Sequence, residues 1–276
     1  MIYKKKIKLF WWNEVILQNK PKENYGDMIG PYLVEKISGK KVVFTHTNKK
    51  KWKQTLSSSP IYLTVGSILA FSNQHSIIWG SGIINKDQPV VAKEILAVRG
   101  PRTRQCLLDQ GFEVPEVYGD PALLLPDYYL PKVEKKYEIG IIPHYNDYKS
   151  IVATLPLMPG VKLINLMTND VEATTREILE CKHIISSSLH GIIVAQAYGI
   201  PAVWQRFSDK LFGDNIKFRD YFESVNIKPY IPHIKTNAFD LKFFNNLIEK
   251  TPEKIIEKKH LNSTKEKLMS VCPFID

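Results

Sequence analysis

Apolar and polar positions along this chain separate into two kinds of element. Short runs rich in β-branched or aromatic residues, at 6–12, 61–65, 76–79 and 94–98, are bounded by Gly, Pro, Ser or Asn and predict strands. Between them, residues 28–37 and 102–110 carry apolar side chains at helical spacing, the second with Pro101 at a first helical position and Gly111 as a stop. A second series follows the proline-punctuated stretch 121–131. Strands are expected there at 138–142, 161–165, 183–186 and 201–204, interleaved with helices at 146–155, 171–180 and 191–198. A short strand is also expected at 116–117. This alternation predicts an α/β fold with parallel strands flanked by helices. The simplest division places one unit at residues 1–128 and a second at 129–235. A helical extension, 236–276, carries helical spacing at 239–250 and 253–268. No repeat of fixed period is visible.

Composition narrows the class. A chain of 276 residues with 44% hydrophobic content can bury a substantial core, which excludes global disorder. Its longest apolar runs are broken far short of the roughly 20 residues that span a bilayer, so no transmembrane helix is expected. The basic start, residues 1–6, is followed by a short apolar stretch interrupted by Asn13 and Glu14, with no small-residue cleavage site, and a cytoplasmic location is expected. Cys106, Cys181 and Cys272 are too few and too far apart for a disulfide framework or a zinc spacing, and are read as reduced. The net charge of +10 comes from dispersed lysines, a cluster at 49–51 and the lysine-rich stretch 250–267. It fits a nucleic acid, an anionic membrane or a small phosphorylated substrate, or simply a solvated basic surface. Nucleic acid is the weakest of these, because the lysine runs lack interleaved aromatics beyond Trp52.

Candidate chemistry gathers at turns. Ser186, Ser187, Ser188, Leu189, His190 and Gly191 join an expected strand to an expected helix. The first turn of that helix leaves N–H groups unpaired at a positive dipole end, which favours a phosphate or carboxylate. His190 there either donates to an anion or acts as a general acid; the plainer alternative is a serine cap with a packed histidine. Arg99, Arg102 and Arg104 surround another helix start. Arg99 is expected to point into a cleft because it precedes the turn, while Arg102 and Arg104 add anion contacts or form a solvated face. Neither G-x-G-x-x-G after the first strand nor G-x-x-x-x-G-K-[ST] occurs, so dinucleotide and nucleoside triphosphate readings lose their main support. Asp27, after Asn24-Tyr25-Gly26, is a helix cap or a base. Asp120, in Tyr118-Gly119-Asp120-Pro121-Ala122, faces a cleft or braces a turn. His144, after Ile142-Pro143, lies at a sheet edge in the second half.

Taken in order, and with Gly80-Ser81-Gly82 and Ala197 through Pro201, these segments resemble the polysaccharide pyruvyltransferase family over residues 9–235. The resemblance implies two Rossmann-like domains facing a cleft, as in glycosyltransferases of the B type, followed by the C-terminal helices. It implies phosphoenolpyruvate as donor, a sugar of a bacterial capsule, exopolysaccharide or precursor as acceptor, a pyruvate ketal as product, and no metal or cofactor. The acceptor is left open as free, nucleotide-linked or lipid-linked, the last implying peripheral contact with anionic lipid at the inner face of the cytoplasmic membrane. Carried over by position, Arg99 and the turn Ser187, Ser188, Leu189, His190 and Gly191 would hold the donor's phosphate and carboxylate. One departure stands out: many relatives have an arginine two residues before the histidine, where this chain has Ser188. Either Arg99, Arg102 or a lysine then supplies the charge, or the donor is held more weakly than the family pattern implies. His190 would give or relay a proton, with His144 as runner-up, while Asp27 or Asp120 orients or deprotonates an acceptor hydroxyl. Two rivals remain, a nucleotide-sugar glycosyltransferase of the same fold and a non-catalytic glycan-binding module. The pyruvyl-transfer reading fails if Arg99 and His190 lie on opposite surfaces with no shared cavity.

Overall fold

Apolar runs of three to six residues form strands here because the flanking helices cover them on both faces. The computed structural model describes residues 6–47, 59–210, 213–252 and 254–275. The lysine cluster 49–51, Trp52, Glu253, residues 1–5 and most of the loop 45–59 lie outside the described residues. In chain order the elements of the first half are β1 (Ile7–Phe10), α1 (Glu14–Gln18), β2 (Glu23–Asn24), α2 (Tyr25–Ser38), β3 (Val42–Phe44), β4 (Ile61–Leu63), β5 (Ser76–Trp79), β6 (Glu94–Ala97), α3 (Pro101–Leu108) and α4 (Leu125–Tyr128). The second half contributes β7 (Tyr137–Ile142), α5 (Tyr145–Thr154), β8 (Val161–Leu163), β9 (Met167–Thr168), α6 (Val171–Leu179), β10 (Cys181–Ser186), α7 (Leu189–Ala197), β11 (Ala202–Trp204) and α8 (Ile216–Ser224), followed by α9 (Leu241–Lys250) and α10 (Lys258–Ser270).

Two parallel sheets result, ordered β3-β1-β4-β5-β6 and β11-β10-β7-β8. The mixed α/β architecture follows the expected alternation. Between the sheets runs a two-residue antiparallel ribbon, β2 with β9, pairing Glu23 with Thr168 and Asn24 with Met167. No pattern of two residues can announce such a ribbon. The strand expected at 116–117 is absent; Tyr118 makes a single bridge to Val98. The helix expected from residue 253 begins at Lys258.

One hydrophobic cluster joins side chains from both halves. Tyr25, Ile29 and Leu33 of α2 pack with Ile178 of α6, Ile192 and Ile193 of α7, and Phe218 and Phe222 of α8. α7 is apolar nearly all round and correspondingly buried. The chain then returns: α10 docks on the first sheet, where the indole N–H of Trp79 donates to Leu268 O at 3.0 Å and Phe274 packs edge-on to Trp79. α9 instead covers the second sheet through Phe244, which is fully buried with Ile139 and Ile141. Among the described residues no helix is long and apolar enough to cross a membrane.

Leu268 is fully buried beside Trp79. Leu268→Ala is expected to lower the unfolding free energy by about 2–5 kcal/mol in denaturant titration. A loss well under ~1 kcal/mol would show that α10 is not part of the first sheet's core.

Candidate functional site

Four helices begin at one cavity of about 1050 Å³. Asn24 and Asp27 come from the start of α2, His144 and Tyr145 from α5, Ser188, Leu189 and His190 from α7, and Asp214 and Lys217 from α8. Each helix start carries unpaired N–H groups and roughly half a positive charge, so together they make the cavity favourable to an anion. Three of these ends are capped locally, that of α8 by Asp214 Oδ1, which accepts from Ile216 N at 2.9 Å. Asn24 Oδ1 accepts from Gly26 N at 2.9 Å, and His144 Nδ1 accepts from Asn146 N at 3.3 Å. Ser188, by contrast, makes no side-chain cap to α7.

Of the residues singled out from sequence, Asp27, His144, Ser188, Leu189 and His190 line this cavity together. Their local settings differ. His190 stands with Nε2 3.5 Å from Oδ2 of Asp120, and neither atom has a hydrogen-bond partner among the described residues. Asp120 is fully buried behind it, its other oxygen accepting from Ala122 N at 3.0 Å. Asp120 therefore does not face the cavity and reaches it only through His190, which corrects the expectation that it handles a hydroxyl. The ring of His190 fits because residue 26 is glycine: a β-carbon there would lie 2.1 Å from Nδ1.

Ser187 is also corrected, while Gly191 belongs to the first turn of α7 and can meet a ligand only through its backbone. Ser187 is fully buried, accepting from His144 N at 2.8 Å and donating to Asp147 Oδ2 at 3.2 Å. Gly191 has no room for a side chain, since a β-carbon would meet Ser186 Oγ at 2.5 Å; its role is the close approach of α7 to the strand before it.

None of the three arginines lines the cavity. Arg99 is fully buried just behind its wall, donating through Nε to Asp220 Oδ2 at 3.0 Å, through Nη1 to Ser67 Oγ at 2.6 Å and through Nη2 to Ile83 O at 2.7 Å. Ser67 faces the cavity; the guanidinium does not. A buried carboxylate 121 residues away has taken the charge that was expected to meet a ligand. Arg102 forms a two-pronged pair with Glu223, at 2.9 and 2.6 Å, and Arg104 donates to Val114 O and pairs with Glu116.

Of the two lysines that line the cavity, Lys86 and Lys217, it is Lys217 that stands at a helix start, and no sequence motif marked it. It sits in the first turn of α8, three residues before Asp220. Burial, and then the nearby Arg99 guanidinium, push its ammonium down to about 8, against the pull of Asp27. Asp27 is driven the opposite way: burial first, then the carboxylates of Glu14 and Glu23, hold it well above the usual carboxylate range despite Lys217 and Lys20. His144 is pushed down to about 3, by burial and then by Lys217 and Lys20, and is neutral at any ordinary pH. Its Nδ1 already accepts a bond, which places the ring proton on Nε2. Among the described residues no group of three or more metal-ligating side chains is placed to hold a metal ion.

The opposite wall is apolar and aromatic, with Trp12, Ile68, Phe71 and Ile84. The cavity thus has an anion-attracting half and a half suited to a ring.

Two comparisons bear on this arrangement. A family model described as Polysaccharide pyruvyl transferase matches residues 24–204. The uncharacterized protein L143 of Acanthamoeba polyphaga mimivirus is 36% identical over 230 residues, covering 78% of this chain and 77% of that protein.

Arg99→Met leaves Asp220 charged and buried, and is expected to cost about 3–5 kcal/mol in denaturant unfolding; a loss below ~1 kcal/mol would mean the pair does not hold the wall. Lys217 carries its charge below about pH 8 and loses it above. Sulfate, whose own charge is constant in this range, is therefore expected to bind more weakly in calorimetric titration as pH rises through about 8, and that dependence is expected to vanish in Lys217→Met. Binding that is flat from pH 7 to 9 in the wild type would contradict the placement of that charge.

Proposed function

The chain belongs to the polysaccharide pyruvyl transferase family, and from that premise we propose that it moves the enolpyruvyl unit of phosphoenolpyruvate onto a sugar as a ketal, releasing phosphate. The observation that carries this reading is the meeting, in one cavity, of four helix amino ends, Lys217, a carboxyl poised to titrate upward and a histidine backed by a buried aspartate. A small donor bearing both phosphate and carboxylate meets two needs of that surface at once.

In this scheme His190, protonated, gives its proton to the methylene carbon of phosphoenolpyruvate. Asp120 is a positioning residue that fixes the ring and steadies the imidazolium. The carbon bearing the phosphate becomes electrophilic, and one sugar hydroxyl adds to it. The C–O bond to phosphate then breaks, the pair of electrons leaving with phosphate, and a second hydroxyl of the same sugar closes the ketal. Two hydroxyl protons are released in all: one, taken up by Asp27, is passed back to replace the proton that His190 gave, and the other leaves with phosphate. Lys217 and the first turn of α7, with the Ser188 hydroxyl, hold the anionic groups as charge shifts onto the leaving oxygen. His144 contributes a neutral N–H donor rather than a proton. The lysine thus supplies the charge that relatives draw from an arginine at the position of Ser188.

The same reading takes residues 1–128 and 129–235 as two Rossmann-like units facing each other across the cavity, with 236–276 as an extension. It needs no metal or organic cofactor. An acceptor on a lipid carrier would bring the protein to the inner face of the cytoplasmic membrane.

Incubation with phosphoenolpyruvate and galactose, mannosamine or glucosamine acceptors is expected to release phosphate and to add the mass of pyruvate less water to one of them. Release of a nucleoside diphosphate from a sugar nucleotide instead, or glycan binding with no consumption of phosphoenolpyruvate, would overturn the reading. His190→Ala in a folded protein is expected to slow phosphate release by about 10²–10⁴-fold or more; near wild-type turnover would remove His190 from the role of acid.

A further inference from the structure

One motif of the sequence, Gly80-Ser81-Gly82, takes no part in the proposed reaction, and its contacts lead to another residue of the cavity, Ser67. Gly66 O accepts from both Gly82 N at 3.0 Å and Ser81 Oγ at 2.8 Å, while Ser81 O accepts from Arg99 N at 3.2 Å. At residue 82 a β-carbon would lie 2.4 Å from Arg99 Cζ, so the guanidinium is seated against a glycine. Gly66 has φ of 106°, a conformation that favours glycine. The turn carrying Ser67 is thus fixed through its backbone by the motif and through its side chain by Arg99 Nη1, at 2.6 Å.

That last bond has a direction. A guanidinium can only donate, so Ser67 Oγ is the acceptor, and the one hydrogen of the hydroxyl is turned away from Arg99. Ser67 lines the cavity while Arg99 lies buried behind it, and among the described residues no acceptor is paired with that hydrogen. A hydroxyl that accepts from a cation is polarised and becomes a better donor. The charge of the buried arginine therefore reaches the cavity at one remove, as an O–H dipole already in place when a ligand arrives. Asp27 borders the same turn, its Oδ1 3.7 Å from where a β-carbon on Gly66 would stand, and Lys217 is close enough to the guanidinium to have its proton affinity lowered by it.

We propose that Ser67 is a ligand-binding residue: its hydroxyl donates to an anionic oxygen, of a phosphate or a carboxylate, on the molecule bound beside Lys217, and so carries the pull of Arg99 to it. Such binding follows from the anion-attracting half of the cavity and not from the pyruvyl-transfer reading.

The test is calorimetric titration of the full chain with sulfate and with pyruvate, on the wild type and on Ser67→Val and Ser67→Thr, whose side chains share one shape and differ in the hydroxyl. In Ser67→Val at least one of the two anions is expected to bind about tenfold more weakly, equivalent to ~1.4 kcal/mol. Which of them weakens identifies the group held at Ser67. Ser67→Thr is expected to stay within about threefold of the wild type. Ser67→Cys, of nearly the native shape but with a weaker donor, stands in if the valine variant does not fold, with an expected loss of about threefold or more. Absence of saturable binding of either anion to the wild type, unchanged affinities in the valine and cysteine variants, or a threonine variant as weak as the valine one overturns the inference. Phosphate release from phosphoenolpyruvate by the same variants reports separately on the reaction.

Discussion

Arg99 and Asp220, buried together behind the cavity, set the position of much that faces it. Asp220 takes the guanidinium and both the amide and the hydroxyl of Thr103, at 2.9 and 2.6 Å, so its charge is fully met where no water reaches. This junction ties the start of α3 to the middle of α8. Lys217 lies one turn earlier on α8, and Ser67 receives another arm of the same guanidinium. Lys217 and part of the cavity wall therefore hang from one ion pair. Such a pair adds little net stability over an apolar substitute, but with one partner removed the other becomes a buried charge. Its value here is placement.

The placement brings together groups that disturb one another. Burial strips water from Lys217, Asp27 and His144 alike, and each then responds to its neighbours. The lysine and the aspartate partly restrain each other, while both lysines keep the histidine neutral. A bound dianion would change that balance, drawing Lys217 back toward full charge. The cavity is thus tuned to be least comfortable when empty of an anion, which is the electrostatic counterpart of the four helix ends aimed into it.

Much of the fold was readable because buried parallel strands leave plain apolar runs, as at Ser76–Trp79, where the expected and observed bounds coincide. The strand-turn-helix at His190 was readable for the same reason. What escaped depends on contacts between distant parts of the chain. α8 shows no single apolar face, since Phe218 packs on Trp204 while Asp220 turns inward to Arg99. Lys217 sits in that unmarked helix. Arg99 was rightly placed at the end of a strand beside the site, but its spacing says nothing of a carboxylate arriving from 121 residues away. Asp120 was likewise a turn residue by pattern, and only the packing of α7 against it gives it His190 as a partner.

The most direct measurement is a crystal structure of the protein soaked with phosphoenolpyruvate. The expected result is the phosphate or carboxylate within hydrogen-bond distance of Lys217 Nζ and the first turn of α7, with the methylene carbon toward His190 and Arg99 still bound to Asp220. Density for the donor at Arg102 or elsewhere on the surface, with the cavity holding only water, would contradict the central claim.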